Sequence, residues 1–317
     1  MSTKHIEQQL REKARELLAN GTVELVIGFE AAPSPVFARP AFFFNRKTLP
    51  RLRWNALCAN NLSVYLSRLK KRRVGLIARG CEERALVQLV KEKQVDRSLI
   101  TVISVPCPGI VDRSKLVADF PEQVQEIITE GESVIIRGKT RTEERKTEDY
   151  LCDSCRRCGS RWASGADVAL GDAASFPSQQ RTFRSLEPIE KLDPAQRWDY
   201  FSSEFDRCIR CYACRDSCPL CYCEQCFVDS AMPRWLSLEN NVRQNLLFQL
   251  TRTMHLTGRC IGCGACSRAC PMGIDVALLT AKMEKEAERL FEYQAGMEIE
   301  EPSLLETFCV DDPGEFA

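Results

Sequence analysis

The sequence predicts an α/β domain built on a parallel sheet, followed by an α-helical domain that is rich in cysteine. Two observations favour this division. Up to residue 150, short apolar runs alternate with helical patterns, and only three cysteines occur. After residue 150 come the other fifteen of the 18 cysteines, in closely spaced groups that amphipathic stretches separate. A chain of 317 residues is also long enough for about two domains.

The first half predicts strands and helices in alternation. Residues 3–19 carry apolar side chains at a helical spacing, and residues 74–78 form a short apolar run typical of a buried strand. In chain order the prediction is a helix over 3–19, a strand over 22–29, a helix over 56–69, a strand over 74–78, a helix over 82–92, a strand over 99–105, a helix over 122–129 and a strand over 133–137. Apolar strands that alternate with helices predict a parallel sheet covered on both faces.

Two polar segments follow the predicted strands. Residues 138–150 are highly charged and predict a solvated connector, and residues 171–197 are rich in Ser, Pro, Gln and Arg and predict an extended linker. The predicted division is an α/β domain over 1–150, a cysteine-rich loop and linker over 151–198, a helical domain over 199–295 and a C-terminal tail over 296–317.

Two cysteine runs in the second half share one spacing, C-x2-C-x2-C-x3-C-P. The first run is Cys208, Cys211, Cys214 and Cys218, and the second run is Cys260, Cys263, Cys266 and Cys270. Bacterial ferredoxins hold two [4Fe-4S] clusters with such runs, in which three thiolates bind one cluster and the fourth binds the other. The predicted ligand sets are therefore Cys208, Cys211, Cys214 and Cys270 for one cluster, and Cys260, Cys263, Cys266 and Cys218 for the other. The spacing predicts a protein that transfers electrons.

The two runs lie too far apart for a compact two-cluster ferredoxin, because 41 residues separate Cys218 from Cys260. Within that interval residues 238–253 have helical periodicity, and residues 274–293 after the second run are also amphipathic. The module is therefore predicted to be an α-helical ferredoxin. Its helices would pack on one another, and an exposed remainder would dock a partner subunit.

Six further cysteines exceed what two clusters need. They are Cys152, Cys155 and Cys158 before the first run, and Cys221, Cys223 and Cys226 after it. In one interpretation the triplet before the first run holds a third [4Fe-4S] cluster, which a distant thiol completes. In the other, a tetrahedral zinc site is formed by Cys155, Cys158, Cys223 and Cys226. The spacing alone leaves both interpretations open.

Two loops of the first half follow predicted strands. Arg79-Gly80-Cys81 follows the strand at 74–78 and opens a helix, and Pro106-Cys107-Pro108-Gly109 follows the strand at 99–105. Ligands of open α/β sheets lie beyond the carboxyl ends of strands, and helix N-termini attract anions. The candidate residues for a flavin phosphate or an anionic cluster are Gly80, Cys81, Cys107 and Gly109. The alternative is that the two cysteines are small buried hydrophobes, which is also the interpretation for Cys58 and Cys309.

Composition excludes several classes of function. Lys plus Arg equals Asp plus Glu at 44 each, which argues against a nucleic-acid partner. The sequence contains no run of 18 apolar residues, so no membrane span is predicted. The polar N-terminus, together with cysteines free for metal, predicts a cytoplasmic protein. Only two histidines occur, neither in the context of a catalytic triad. Five arginines lie among the ferredoxin cysteines and would either offset cluster charge or face solvent: Arg207, Arg210, Arg215, Arg259 and Arg268.

Part of the chain resembles a known family. Pro106-Cys107, then Cys152-x2-Cys155, then the segment Gly165-Ala-Asp-Val-Ala-Leu-Gly-Asp172 resemble the beta subunits of coenzyme F420-reducing hydrogenase and related formate dehydrogenases, over roughly residues 70–172. Residues 200–295 are similar to the small iron–sulfur subunit of heterodisulfide reductases and to iron–sulfur subunits of succinate dehydrogenase-like enzymes. The first resemblance implies bound FAD and electron transfer between a soluble carrier and a chain of clusters. It also implies partners among hydrogenase, formate dehydrogenase or heterodisulfide reductase-like subunits.

The sequence as a whole predicts an iron–sulfur electron-transfer subunit of a multi-subunit oxidoreductase, not its catalytic subunit. One alternative is a flavoenzyme that reduces a small substrate alone, which turnover by the isolated chain would favour. Another is a non-redox scaffold in which clusters and zinc only stabilise the fold, which bound flavin would disfavour.

Overall fold

The computed structural model describes residues 3–130, 133–172 and 180–307. Its main sheet has six strands: β1 (Leu25–Ala31), β2 (Ala38–Phe43), β3 (Leu52–Arg53), β4 (Val74–Ala78), β5 (Ile100–Ser104) and β9 (Val168–Ala169). Their order is β2-β1-β4-β5-β9, with β3 paired to β1. The pairs β1–β4, β4–β5 and β5–β9 are parallel, whereas β2 and β3 run antiparallel to β1. The predicted α/β class is confirmed, and the antiparallel edge strand β2 is an addition to it.

Two long helices flank this sheet at the predicted places. Helix α1 (Thr3–Ala19) buries one apolar stripe that includes Leu10 and Ala14, and α2 (Gly80–Lys91) follows β4 directly. Strand β4 is buried along its whole length, as expected for a strand covered on both faces. At the start of helix α2 the amide N–H and the guanidinium Nε–H of Arg79 both donate to the Glu82 carboxylate, at 3.1 and 2.9 Å, which satisfies one of the amide groups that a helix N-terminus leaves free.

The region between residues 120 and 150 differs from the prediction. The residues predicted as a helix over 122–129 and as a connector over 138–150 belong to a three-stranded antiparallel sheet. Its strands are β6 (Glu126–Glu130), β7 (Ser133–Arg137) and β8 (Thr142–Lys146), and a 3-10 turn over Thr147–Tyr150 follows them. The helix prediction was wrong because Ile127 and Thr129 are buried in alternation with more exposed neighbours, which is a strand period. Short helix α3 (Arg113–Ala118) packs near this sheet through Leu116.

Two more predicted segments need correction. The helix predicted over 56–69 is only a 3-10 helix over Leu62–Arg68, which the side chain of Asn61 caps. The extended linker predicted over 171–197 falls partly on residues 173–179, outside the described residues. Its later part is folded: a 3-10 turn over Arg184–Leu186 leads into α5 (Glu187–Glu190), and Leu186 is buried against Leu278. Aliphatic side chains anchor this segment in spite of its polar composition.

The second half is helical, as predicted. The helices are α4 (Asp153–Arg156), α6 (Pro194–Asp206), α7 (Ala213–Asp216), α8 (Val242–Leu256), α9 (Ala265–Ala269) and α10 (Ala277–Phe291). Phe205 of α6 and Phe248 of α8 are both fully buried in its core. Helices α8 and α10 correspond to the predicted amphipathic stretches, with ends shifted by a few residues. Cys309 lies outside the described residues.

The two halves are held together by polar contacts. Arg84 on α2 donates to the carbonyl oxygen of Ala295 at 2.7 Å, and Arg268 on α9 donates to that of Ala59 at 3.0 Å. Arg259 bonds Glu92 at the end of α2 at 2.5 Å. These contacts bring the second cysteine run against the carboxyl ends of β4 and β5. Among the described residues, no helix has both the length and the apolar character needed to cross a membrane.

Candidate iron–sulfur sites

Four thiols from both cysteine runs line one cavity, which we call the ferredoxin cavity. They are Cys218 of the first run and Cys260, Cys263 and Cys266 of the second. Leu256 and Ala277 contribute apolar wall, so the thiols meet in a site with little access to water. This is the grouping that the crossed ligand set requires, with the fourth thiol supplied by the other run.

The loop of the second run owes its shape to two glycines. Gly262 and Gly264 adopt φ of 70° and 66°, a left-handed conformation that glycine adopts without a steric cost. The loop turns the amide N–H of Gly262 toward the Cys260 thiol and that of Ala265 toward the Cys263 thiol. Amide hydrogen bonds to sulfur stabilise a thiolate, and they are one of the means by which a protein sets a cluster's potential.

The first run makes the same turn without glycine. Arg210 and Tyr212, which correspond in position to Gly262 and Gly264, have φ of 48° and 59°. Such angles cost a non-glycine residue about 1 kcal/mol or more. The guanidinium of Arg210 is held by the carbonyl oxygens of Ser237 and Leu238, at 2.8 and 3.0 Å. Two loops of different sequence therefore keep one backbone shape, as expected if both wrap the same kind of group.

The remaining predicted ligands of the first run also lie together. The Cys208 thiol is close enough to Cys211 and Cys270 for an electrostatic effect on its pKa, which burial raises. Cys214 is buried and its thiol interacts with those of Cys208 and Cys266, and burial raises its pKa to about 11. Cys211 is exposed, so this group of thiols reaches the protein surface.

Four other thiols line a second cavity, between the α/β half and the ferredoxin half, which we call the interdomain cavity. These are Cys81, Cys107, Cys155 and Cys158. The cavity encloses roughly 590 Å³, including space that is open to solvent, and Cys263 is also part of its wall. Cys263 thus contributes to both cavities, which share the loop segment Ile261-Gly262-Cys263 in their walls.

Three chain segments deliver these four thiols. Cys81 lies in the first turn of α2 after β4, and Cys107 follows β5, so both come from the carboxyl edge of the parallel sheet. Cys155 lies on α4 and accepts a hydrogen bond from the amide of Ile110 at 3.3 Å. Burial raises the pKa of Cys81, Cys158 and, to about 12, Cys107. Uncoordinated, the thiols of Cys81, Cys107 and Cys158 would stay protonated, and metal binding would have to displace their protons.

Two predicted residues take different places in this region. Gly80 packs against the loop after Cys158, since a Cβ on it would come within 2.9 Å of the Ser160 carbonyl carbon. Gly80 therefore permits close backbone packing and is not part of the cavity wall. Gly109, in contrast, lies in the wall with φ of 102°, and a side chain there would meet Leu151 at 2.5 Å.

Cys152 and the cysteines after the first run also lie outside the interdomain cavity wall. Cys152 is buried, and its thiol interacts with Arg268. Cys221 forms a hydrogen bond with Cys218, Cys223 is exposed, and Cys226 begins a 3-10 turn. Cys223 and Cys226 do not share the cavity of the zinc-site partners predicted for them. In the described part of the chain, no three His, Cys, Asp or Glu residues are grouped tightly enough for a single metal ion.

Most of the predicted arginines pair with groups other than sulfur. Arg207 bonds Glu204, Arg215 bonds Asp229 and Arg259 bonds Glu92. The guanidinium of Arg210 donates to the backbone carbonyl oxygen of Ser237. Arg268 is different, because its guanidinium interacts with the thiols of Cys155, Cys152 and Cys263 and its Nη2 has no hydrogen-bond partner.

Arg252, which lines the ferredoxin cavity from α8, was not predicted from the sequence as a site residue. A signal for it existed. Asn245, Gln249 and Arg252 recur at helical spacing on the buried face of α8, and three polar residues on a buried face indicate a polar ligand. Gln249 lies 3.9 Å from the Cys214 sulfur, and Asn245 donates to the carbonyl oxygen of Cys208 at 2.9 Å.

Comparison with known proteins gives family matches for two separate parts of the chain. The family that comprises the C terminus of the coenzyme F420 hydrogenase/dehydrogenase beta subunit matches residues 71–187. The 4Fe-4S dicluster domain matches residues 204–274. The first match spans the loops of Cys81 and Cys107 and the residues around Cys155, and the second spans both ferredoxin runs. The resemblance and the ferredoxin prediction are both confirmed.

Two relatives match along nearly the whole chain. The beta subunit of F420-dependent formate dehydrogenase from Methanocaldococcus jannaschii is 23% identical over 91% of this chain and 91% of its own length. The beta subunit of F420-dependent formate dehydrogenase 1 from Methanococcus maripaludis is 23% identical over 92% of this chain and 91% of its own.

Among solved structures, a chain from the F420-reducing [NiFe] hydrogenase complex of Methanosarcina barkeri aligns with 65% of this chain and 90% of its own length, at 13% identity and a TM-score of 0.42. That superposition is too loose to carry an argument. The chain thus joins a region similar to the C terminus of coenzyme F420 hydrogenase/dehydrogenase beta subunits to a region that matches the 4Fe-4S dicluster domain.

Proposed function

We propose that this chain is the iron–sulfur electron-transfer subunit of an oxidoreductase complex, with a role like that of a formate dehydrogenase beta subunit. The observation that carries the proposal is the position of Cys263, which lines both the ferredoxin cavity and the interdomain cavity. Groups bound in the two cavities would lie on opposite sides of one loop. Two redox groups so close together can exchange electrons, whereas a purely structural metal site has no need of a second group beside it.

The ferredoxin half is proposed to hold two [4Fe-4S] clusters with crossed ligands. One set is Cys208, Cys211, Cys214 and Cys270, and the other is Cys218, Cys260, Cys263 and Cys266. Support comes from the cavity that the second set lines and from the matching left-handed turns of the two loops. When bound, the clusters supply one-electron redox chemistry. The protein contributes thiolates, amide hydrogen bonds and exclusion of water.

The interdomain cavity is proposed to hold a third [4Fe-4S] cluster, ligated by Cys81, Cys107, Cys155 and Cys158. Four thiols around one cavity match the ligand number of a cluster. The surrounding donors fit an anionic group as well, because buried nitrogen atoms of Arg161 and Arg268 have no hydrogen-bond partner. Cys155 and Cys158 remain ligands, as in the cluster interpretation of the sequence. Cys81 and Cys107 take the places of Cys152 and of the distant thiol.

FAD, which the family resemblance implies, is a second candidate for the mouth of this cavity. The specific observation in its favour is cationic lining: Arg161 has an unpaired buried Nε, which suits a diphosphate. Much of the remaining positive charge is already compensated, since Arg181 pairs with Glu284 and Glu288. The four thiols therefore favour the cluster. Zinc at these thiols is disfavoured, because no three metal-ligating side chains of the described residues are grouped tightly enough for a single metal ion.

The partners are proposed to be other subunits of the complex, including one with a dehydrogenase active site. Cys211 is exposed and Ile209 beside it is 52% exposed, so the first run presents its thiols at a partly apolar surface. A redox partner that docks there would approach the cluster closely. The proposal includes a reducing compartment such as the cytoplasm, because the thiols must stay free to bind iron.

Anaerobic purification of the wild-type chain, with assays for iron, acid-labile sulfide, zinc and flavin, tests the function. Three clusters require about twelve iron atoms and about twelve sulfides per chain. About eight of each with one zinc would assign the interdomain cavity to zinc. Stoichiometric flavin with about eight iron atoms would assign it to FAD. A chain with neither iron nor sulfide after cluster reconstitution would overturn the proposal.

A further inference from the structure

Arg252 on α8 is a buried arginine with most of its donors unused. The residue is only 4% exposed. Its Nη2 atom donates to the carbonyl oxygen of Cys214 at 3.2 Å, but Nε and Nη1 are shielded from solvent and have no hydrogen-bond partner. Each unsatisfied donor of a buried charged group costs free energy, and more than for a neutral group.

The groups around Arg252 are thiols from both cysteine runs. Its guanidinium interacts electrostatically with Cys266, Cys218, Cys221 and Cys214, and it lines the ferredoxin cavity. These four thiols are the charged-group neighbours that act most strongly on Arg252, and no carboxylate is among them. A buried cation without a counter-ion is strongly destabilising, so the sulfur groups have to supply the negative charge.

The position of Arg252 relates it to both proposed clusters. Cys214 belongs to the ligand set of one cluster, whereas Cys218 and Cys266 belong to that of the other. Arg252 bonds the backbone on the Cys214 side, which leaves Nε and Nη1 for the ferredoxin cavity. A fixed cation at this place stabilises the more negative, reduced state of whichever cluster it contacts.

We propose that Arg252 raises the reduction potential of the cluster that the ferredoxin cavity would hold, because its buried positive charge and its unpaired Nε–H and Nη1–H donors lie among the thiols of that ligand set while Nη2 holds the carbonyl oxygen of Cys214. This inference rests on the proposed function. Replacement of a merely structural arginine would leave the reduction potential of the cluster unchanged.

The test is a redox titration of the clusters, followed by EPR, in Arg252→Gln, Arg252→Lys and the wild-type chain. Arg252→Gln removes the charge, so one cluster should become harder to reduce. We expect its reduced-to-oxidised ratio at a fixed ambient potential to fall about tenfold, which corresponds to a shift of ~59 mV for one electron. Arg252→Lys keeps the charge but not the fork of donors, and should shift the potential in the same direction by less.

Arg243→Gln is the matched control, because Arg243 lies on the same helix and is exposed. Its clusters should titrate as in the wild type. If Arg252→Gln does not fold, Arg252→Lys carries the test. Wild-type potentials in an Arg252 variant that retains full iron would overturn the inference. If the proposed function is wrong, the result differs, because the wild-type chain itself would then show neither of the two ferredoxin EPR signals.

Discussion

Arg268 on α9 donates a hydrogen bond to the hydroxyl of Ser154 on α4, at 3.1 Å. This contact joins the loop of the second run to the helix that carries Cys155. The same guanidinium also holds the carbonyl oxygen of Cys263 at 2.7 Å and that of Ala59 at 3.0 Å. Arg268 and the close approach of α4 to α9 therefore help to fix the relative placement of the two cavities.

Gly264 is the place where that approach is tightest, and Gly264→Ala should disrupt it. A Cβ at this position would come within 2.5 Å of the Ser154 Cβ. The left-handed φ adds about 1 kcal/mol of strain, and the clash adds roughly 1–3 kcal/mol more. We expect a lower thermal unfolding midpoint, measured by circular dichroism under anaerobic conditions.

Gly273→Ala is the matched control for this prediction. Gly273 has nearly the same φ, 65°, but a Cβ there would meet nothing within 4 Å. Gly273→Ala should therefore lower the stability only by the backbone strain, without a steric clash. Equal losses of stability in the two variants would show that α4 and α9 are not in close contact.

Cys218→Ser should impair the cluster held by the second run, although Cys218 belongs to the first. The reason is that Cys218 lines the cavity of Cys260, Cys263 and Cys266. EPR spectra of Cys218→Ser and Cys260→Ser should therefore lose the same signal. Cys223→Ser is the neighbouring control, since Cys223 is exposed and is not in the cavity wall. A loss of the other signal in Cys218→Ser would refute the crossed assignment.

The contact between Glu92 and Arg259 should make the stability of the chain pH-dependent. Burial alone would raise the pKa of Glu92, but hydrogen bonds from Arg259 and Tyr222 outweigh it, so the pKa lies below its usual value of 4.5. A carboxylate with a lowered pKa stabilises the fold above its unfolded-state pKa, and this contribution is lost as the pH falls through the folded-state value.

Glu92→Gln should therefore lower the thermal midpoint at pH 7, by an amount that corresponds to roughly 1–3 kcal/mol. The difference from wild type should shrink as the pH falls below 4.5. The exposed pair of Glu126 and Arg137 offers a control, because Glu126→Gln should change the midpoint little. A difference that stays constant down to about pH 3 would contradict the assignment of the stabilisation to the Glu92 carboxylate.

The sequence predicted those parts of the site that short-range spacing determines. The two ferredoxin runs and the loops of Cys81 and Cys107 could be found because a cluster loop or a strand end has a local pattern. The meeting of Cys107 with Cys155 could not be predicted, since it depends on the pairing of the segment at Ile110 and Val111 with that at Leu151 and Cys152, which are about 40 residues apart in the chain. Strand β6 was mistaken for a helix because its pairing with β7 is not visible in a short run of Glu, Gln, Val and Ile.

The central claim is that the interdomain cavity holds a third cluster, and the iron content of Cys107→Ala tests it most directly. Cys107 lines that cavity, whereas Cys58 is buried outside the cavity wall and its thiol hydrogen-bonds Asn55. After anaerobic reconstitution, Cys107→Ala should contain about eight iron atoms per chain, and the Cys58→Ala control and wild type about twelve. The same iron and sulfide content in all three proteins would contradict the claim.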